Sequence, residues 1–141
     1  MFMRLMKMKE DKKGFTLAEL LIVVAIIGVL VAISVPIFTA QLKKARIATN
    51  QANARSAKAA AVTSYMEDST NNLGGTYTVA SGQFIPAKAP VAPVSGGVTG
   101  FATDITTWAT ATETVYSDAT YATWIVKLDA DGAVTEYSAT K

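Results

Sequence analysis

The stretch KKGFTLAELLIVVAIIGVLVAISVPIF, residues 12–38, decides how this chain can fold. Two lysines and a glycine precede an apolar run, and one carboxylate, Glu19, interrupts that run near its start. At 1.5 Å per residue, a helix over residues 15–38 would reach roughly 36 Å, enough to cross the hydrocarbon core of a bilayer. The sequence therefore predicts a membrane-spanning helix with an acid close to one end.

The amino-acid composition excludes several kinds of catalytic and metal-binding site. The 141 residues include no histidine and no cysteine, and half of them are hydrophobic. Disulfides, thiol nucleophiles, imidazole bases and most transition-metal ligand sets are thereby excluded. We expect no enzyme, no cofactor and no metal site. Residues 1–14 carry a net charge of +3, so the basic side chains are concentrated in a tail and do not indicate a nucleic-acid partner.

The charges that flank the apolar run predict its orientation. Five basic residues precede the run, and Lys43, Lys44 and Arg46 follow it. The modest excess before the run places the N-terminus in the cytoplasm and the remainder of the chain outside.

Two simpler explanations of the run are a secretory signal peptide and a plain membrane anchor. The sequence Ala32-Ile33-Ser34 could serve as a small-x-small cleavage site. The apolar character nevertheless continues to Phe38, and Glu19 interrupts the start of the run, which argues against a signal peptide. A plain anchor explains neither Glu19 nor the abrupt start of the run after residue 14.

Residues 13–19, KGFTLAE, followed by the apolar run with Gly28 and Pro36, resemble the N-terminus of a type IV prepilin. The motif covers about the first quarter of the chain, and the family's long helix would extend the likeness to nearly half. The resemblance implies a leader peptide over residues 1–14, with Gly14 as the processing site. It also implies that a prepilin peptidase and N-methyltransferase cuts after Gly14 and methylates Phe15.

The resemblance further implies a filament. Residues 15–40 would form a hydrophobic transmembrane and polymerisation helix, with Glu19, Gly28 and Pro36 as assembly residues. The single-pass membrane precursor would become a helical homo-oligomer, an extracellular pilus at the cell surface for adhesion or motility. A pilus assembly platform and its ATPase would be partners. The alternatives are the major pseudopilin of a type II secretion or DNA-uptake apparatus, and a singly anchored binding or adhesive module with an uncut leader.

Three residues of the apolar run also have ordinary structural explanations. Thr16-x-x-Glu19 matches a capping box, in which each side chain accepts a hydrogen bond from the other residue's backbone N–H. Pro36 lacks an N–H and should kink or loosen a helix, and Gly28 weakens the same segment. Both are common in membrane spans.

We expect residues 41–68 to form an amphipathic helix that continues the first one. This segment lacks Gly and Pro and is rich in alanine, which gives it a high helix propensity. A stripe of small and apolar side chains at helical spacing is expected to face a sheet. Five cations on the other faces are expected to be solvated: Lys43, Lys44, Arg46, Arg55 and Lys58. The predicted stripe comprises Ala45, Ala48, Ala52, Ala59, Val62 and Met66.

Residues 69–141 predict a loop and a small antiparallel β head. The segment TYTV reads as a strand, after which Pro86, Pro90 and Pro93 are expected to prevent regular structure up to the glycines at 96 and 97. The segment TTWATATETVY also reads as β. Residues 123–128 and 133–138 predict a hairpin around DADG, with alternate side chains facing the helix. The fold class is therefore α+β: a long N-terminal helix, half membrane-spanning and half amphipathic, packed on this sheet.

Four side chains of the head were candidates for ligand sites. Asp129 and Asp131 could bind calcium, but the full loop pattern is missing, so a turn is the better interpretation. Trp108 and Trp124 are expected to be core or interface anchors. The acids of the head show no spacing that indicates a catalytic pair.

Overall fold

A computed structural model describes residues 14–70, 72–89, 91–92, 97–110 and 114–141. In this part of the chain, one long helix, α1 (Leu17–Glu67), precedes five strands. Two 3-10 helices, Ile105–Thr110 and Thr114–Tyr116, lie between the third and fourth strands. The predicted α+β class is confirmed. The strands are β1 (Gly74–Thr78), β2 (Gln83–Pro86), β3 (Val98–Phe101), β4 (Thr123–Leu128) and β5 (Val134–Thr140).

The strands form one sheet in the order β2-β1-β4-β5-β3, and all neighbours are antiparallel. The predicted final hairpin is confirmed as β4 and β5, with Val126 opposite Tyr137. Its turn is closed by Asp129, whose Oδ1 accepts hydrogen bonds from the backbone N–H groups of residues 131 and 133 at 3.0 and 2.8 Å. Gly132 has a φ of 81° in this turn, a conformation that side chains disfavour.

The chain divides into two compact units, Met1–Phe38 and Thr39–Lys141. In the described part of the first unit, every large apolar side chain of α1 is at least 52% exposed. The described residues of that unit leave this surface uncovered, and an apolar surface of that extent marks a membrane or protein contact. The helix is long and apolar enough to cross a membrane. It continues past Pro36, so the proline does not end it.

In the second unit, α1 packs on the sheet through a different face from the one predicted. Its buried residues are Asn50, Ala54, Ala57 and Ala61. The predicted stripe is wrong: of its six members, only Val62 is even partly buried, and the other five are exposed. The amphipathic segment contains more than one line of alanines, and the packed line also carries a polar Asn50. Hydrophobicity alone therefore selected the wrong line.

Aromatic rings fill the core between α1 and the sheet. Trp108 and Trp124 stack with their ring centroids 5.6 Å apart, and both are fully buried, as predicted for core anchors. Tyr137 is also fully buried, and burial raises its pKa to about 12. Alanines on the packed face of α1 allow these rings to approach the helix closely. The other members of the ring cluster are Phe101, Tyr116 and Tyr121.

Two predictions about the loops of the head are wrong. The TTWATATETVY segment forms the two 3-10 helices instead of a strand, apart from residues 111–113, which lie outside the described part. Asp104 starts the first of these helices by accepting hydrogen bonds from Thr106 N and Oγ1 at 3.0 and 2.6 Å. Pro86 does not prevent a strand, because it is the last residue of β2 at the sheet edge, where no N–H is needed. Pro90 and Pro93 are outside the described residues.

Candidate processing and assembly segment

The predicted cleavage junction is open to solvent. Gly14 lies before the first turn of α1, and a methyl group built on it would meet no atom within 4 Å. Phe15 is 92% exposed. A peptidase could therefore reach the bond between these residues without unfolding any described element. Residues 1–13 of the predicted leader lie outside the described part of the chain.

Thr16 and Glu19 form a reciprocal capping box at the start of α1. The backbone N–H of Thr16 donates to Glu19 Oε2 at 2.9 Å, and the backbone N–H of Glu19 donates to Thr16 Oγ1 at 3.2 Å. Two N–H groups of the first turn are thus satisfied by side chains. The box also holds the carboxylate of Glu19 one residue from the nitrogen of Phe15, where cleavage would create an ammonium group.

The other two predicted assembly residues lie further along the exposed helix. A side chain at Gly28 would meet no atom within 4 Å, so no contact in this chain requires a glycine there. Near Pro36, the hydroxyl of Ser34 donates to the carbonyl of Leu30 at 2.7 Å. This bond satisfies the only serine hydroxyl of the apolar run, and bonds of this kind often bend a helix. The assembly roles of Gly28 and Pro36 stay predictions.

The sequence did not predict that three polar side chains on the second half of α1, Arg46, Asn50 and Gln51, bind backbone carbonyls of the head. We call this group the polar clamp. Arg46, which was expected to be solvated, is half-buried, and its Nη1 donates to the carbonyl of Asp118 at 2.8 Å. The fully buried Asn50 donates through Nδ2 to two more carbonyls of the same loop, at 3.0 and 2.8 Å. Gln51 donates to the first 3-10 helix at 2.9 Å. The signal that could have revealed this contact is Asn50, which lies at helical spacing from Ala54, Ala57 and Ala61. The carbonyls bound by Asn50 and Gln51 belong to Tyr116, Ala119 and Ile105.

Asp129 of the β4–β5 turn acts as expected for a turn residue. Asp129 closes it through backbone hydrogen bonds, and Tyr65 of α1 donates its hydroxyl to the carbonyl of Ala130 at 2.7 Å. Among the residues described here, no three acids lie close enough together to form a metal-ligand group.

Comparison with known proteins addresses the N-terminal segment most directly. The family model for the prokaryotic N-terminal methylation motif matches residues 11–35, which include the junction, the capping box and most of the apolar run. The N-terminus is pilin-like. This motif and the fimbrial relatives described next are consistent with a type IV pilin.

Two fimbrial proteins of Eikenella corrodens are similar to this chain. EcpC is 30% identical over 96 residues, which cover 64% of this chain and 62% of EcpC. EcpB is 56% identical over 36 residues, which cover 26% of this chain and 23% of EcpB. The matched regions span less than two thirds of either relative. No solved structure gives a significant match.

Proposed function

We propose that this protein is the structural subunit of a type IV pilus. Its precursor is held in the membrane by the apolar half of α1 with its N-terminus in the cytoplasm. A prepilin peptidase cuts after Gly14 and methylates Phe15. The mature subunits then polymerise through the apolar helix into a helical surface filament for adhesion or motility. An assembly platform and its ATPase drive that step.

One observation carries the proposal: an exposed junction precedes an apolar helix surface that no other described residue of its unit covers. Every large apolar side chain of α1 up to Phe38 is at least 52% exposed. A bilayer can cover such a surface before assembly, and copies of the same helix can cover it afterwards. The proposal makes the protein a structural component rather than an enzyme, in keeping with the fimbrial names of its relatives.

N-terminal mass spectrometry tests the processing step. Protein isolated from cells that contain a prepilin peptidase should begin at Phe15 and carry a methyl group on its amine. Gly14→Leu should block cleavage, because we expect the peptidase to accept only a residue without a side chain before the bond that it cuts. Gly28→Leu alters another glycine of the same segment and should leave cleavage intact. A mature chain that begins at Val35, or one that retains Met1, contradicts the proposal.

The major pseudopilin of a secretion or DNA-uptake apparatus shares the whole N-terminal pattern. The fimbrial relatives favour the pilin. Electron microscopy with an antibody against the head separates the two, because long labelled filaments outside the cell are expected of a pilin and short periplasmic fibres of a pseudopilin.

A further inference from the structure

A cleft of about 530 Å³ opens on the head beside α1. It is bounded by the outer side of α1, the start of the first 3-10 helix and the start of β5. Its volume lies within the range of small-molecule sites, which is roughly 300–1,000 Å³. The side chains that matter here are Arg55, Lys58, Thr103, Asp104, Ile105 and Val134.

Two cations of the cleft, Arg55 and Lys58, are exposed on α1, and Lys58 is close enough to attract the carboxylate of Asp104. Arg55 and Lys58 stand three positions apart on α1, so they lie on neighbouring turns of one face. Both are exposed, and neither makes a hydrogen bond or an ion pair with any residue that the structure describes. A guanidinium group binds a carboxylate through two parallel hydrogen bonds, and a nearby ammonium group adds attraction.

The cleft also contains a fixed carboxylate, which a simple anion site would not have. Asp104 Oδ1 accepts both hydrogen bonds from Thr106, and those bonds, the side-chain bond first, lower the pKa of Asp104. Lys58 acts in the same direction, although desolvation opposes both. The second oxygen, Oδ2, accepts no hydrogen bond from the described residues, so it can accept one from a ligand hydroxyl.

We propose that this cleft binds an acidic sugar. Arg55 and Lys58 hold the sugar carboxylate, and a ring hydroxyl donates to Asp104 Oδ2. Val134, which is half-buried at the edge of the cleft, offers apolar surface to the C–H face of the ring. With two cations and one carboxylate, the cleft carries a net charge of about +1, which suits a monoanion with hydroxyl groups better than a dianion or a polyanion. This site goes beyond filament formation and does not depend on it.

Calorimetry on the full chain tests the site. The detergent should have a polyoxyethylene headgroup, which carries neither sugar nor charge. Glucuronate should bind saturably, whereas glucose, which lacks the carboxylate, and acetate, which lacks the hydroxyls, should bind at least about tenfold more weakly. The double variant Arg55→Gln and Lys58→Gln should lose glucuronate binding. The matched double variant Lys43→Gln and Lys44→Gln removes two exposed cations outside the cleft and should bind like the wild type.

The variant Asp104→Asn separates a sugar site from a general anion site by the direction of its effect. Asparagine can still accept the hydrogen bonds from Thr106, so the 3-10 helix should keep its start. At a sugar site, loss of the charged acceptor should weaken glucuronate binding by about tenfold. At a general anion site, loss of the repelling carboxylate should tighten it. Tighter binding in this variant, equal binding of acetate, or no saturable binding of glucuronate by the wild type would each overturn the proposal.

Discussion

Glu19 has a local structural role as a helix cap and a proposed role in filament assembly, and the two differ in the free energies that they involve. The capping box stabilises the start of a helix by about 1 kcal/mol. A carboxylate inside a bilayer costs up to roughly 3 kcal/mol at the centre and less near the edge. Two opposite charges about 4 Å apart attract by about 4 kcal/mol at an effective dielectric constant of about 20. The ammonium group created at Phe15 by cleavage would therefore change the balance, and we infer that Glu19 registers incoming subunits by pairing with it.

The substitution Glu19→Gln tests this role, because it keeps the side-chain shape and part of the cap but removes the charge. The variant should still be cut after Gly14 and remain in the membrane, yet form few filaments by electron microscopy. Thr16→Val is the matched control: it removes the hydroxyl that accepts from Glu19 N at 3.2 Å, keeps the charge, and should assemble. Filament yield at the wild-type level in Glu19→Gln would reduce Glu19 to a helix cap.

At the scale of elements, the second half of α1 is held by two kinds of contact. Its alanines leave room for the aromatic rings, and its polar side chains bind the carbonyls of loops that have no sheet partner. Buried carbonyls need such donors, so the clamp stabilises the segment between β3 and β4 without a regular strand. Tyr65 acts similarly at the other end, because its hydroxyl binds the β4–β5 turn and its ring fills the space beside Gly132.

A pair of alanine substitutions tests which face of α1 is packed. Ala57 is fully buried, whereas Ala59 is exposed two positions later. Ala57→Leu should destabilise the head by roughly 1–3 kcal/mol through overpacking, and Ala59→Leu should change its stability by less than about 0.5 kcal/mol. Thermal unfolding of the full chain, followed by near-UV circular dichroism, measures both. If Ala59→Leu proves the more damaging change, α1 packs through the face first predicted from the sequence.

At the scale of the whole molecule, the two units differ in what they need for stability. All members of the buried core cluster lie between Thr39 and Lys141. Among the described residues, no apolar side chain before Thr39 belongs to that core. We therefore expect the head to be an independent folding unit, with the apolar half of α1 serving the membrane and the filament.

A shortened chain of residues 39–141 should fold in water without detergent and unfold cooperatively, as measured by tryptophan fluorescence. Trp124→Ala should lower its stability by roughly 3–5 kcal/mol, because the ring is fully buried. A calcium chelator should leave the midpoint unchanged, since backbone groups already close the Asp129 turn. Strong destabilisation by the chelator would support a calcium-binding pseudopilin, and a shortened chain that does not fold would show that the head depends on the apolar half.

Local patterns were enough to predict the start of α1 and its apolar half. A helix in an apolar setting satisfies the hydrogen bonds of its own backbone. The length and hydrophobicity of residues 15–38 are therefore enough to predict a helix there. The capping box could also be predicted, because all of its hydrogen bonds lie within four consecutive residues. The β4–β5 hairpin was predicted from its alternation of side chains around a turn.

Only the tertiary structure decided which line of alanines on α1 packs, that Arg46 binds a loop carbonyl, and that the segment around Trp108 is a 3-10 helix. It also brought Arg55 and Lys58 to the same cleft as Asp104, about fifty positions away in the chain. These outcomes depend on contacts between residues far apart in sequence, where burial and hydrogen-bond satisfaction outweigh local preference. The helix was determined by its own residues, but its packed face was determined by the rings and carbonyls that lie against it.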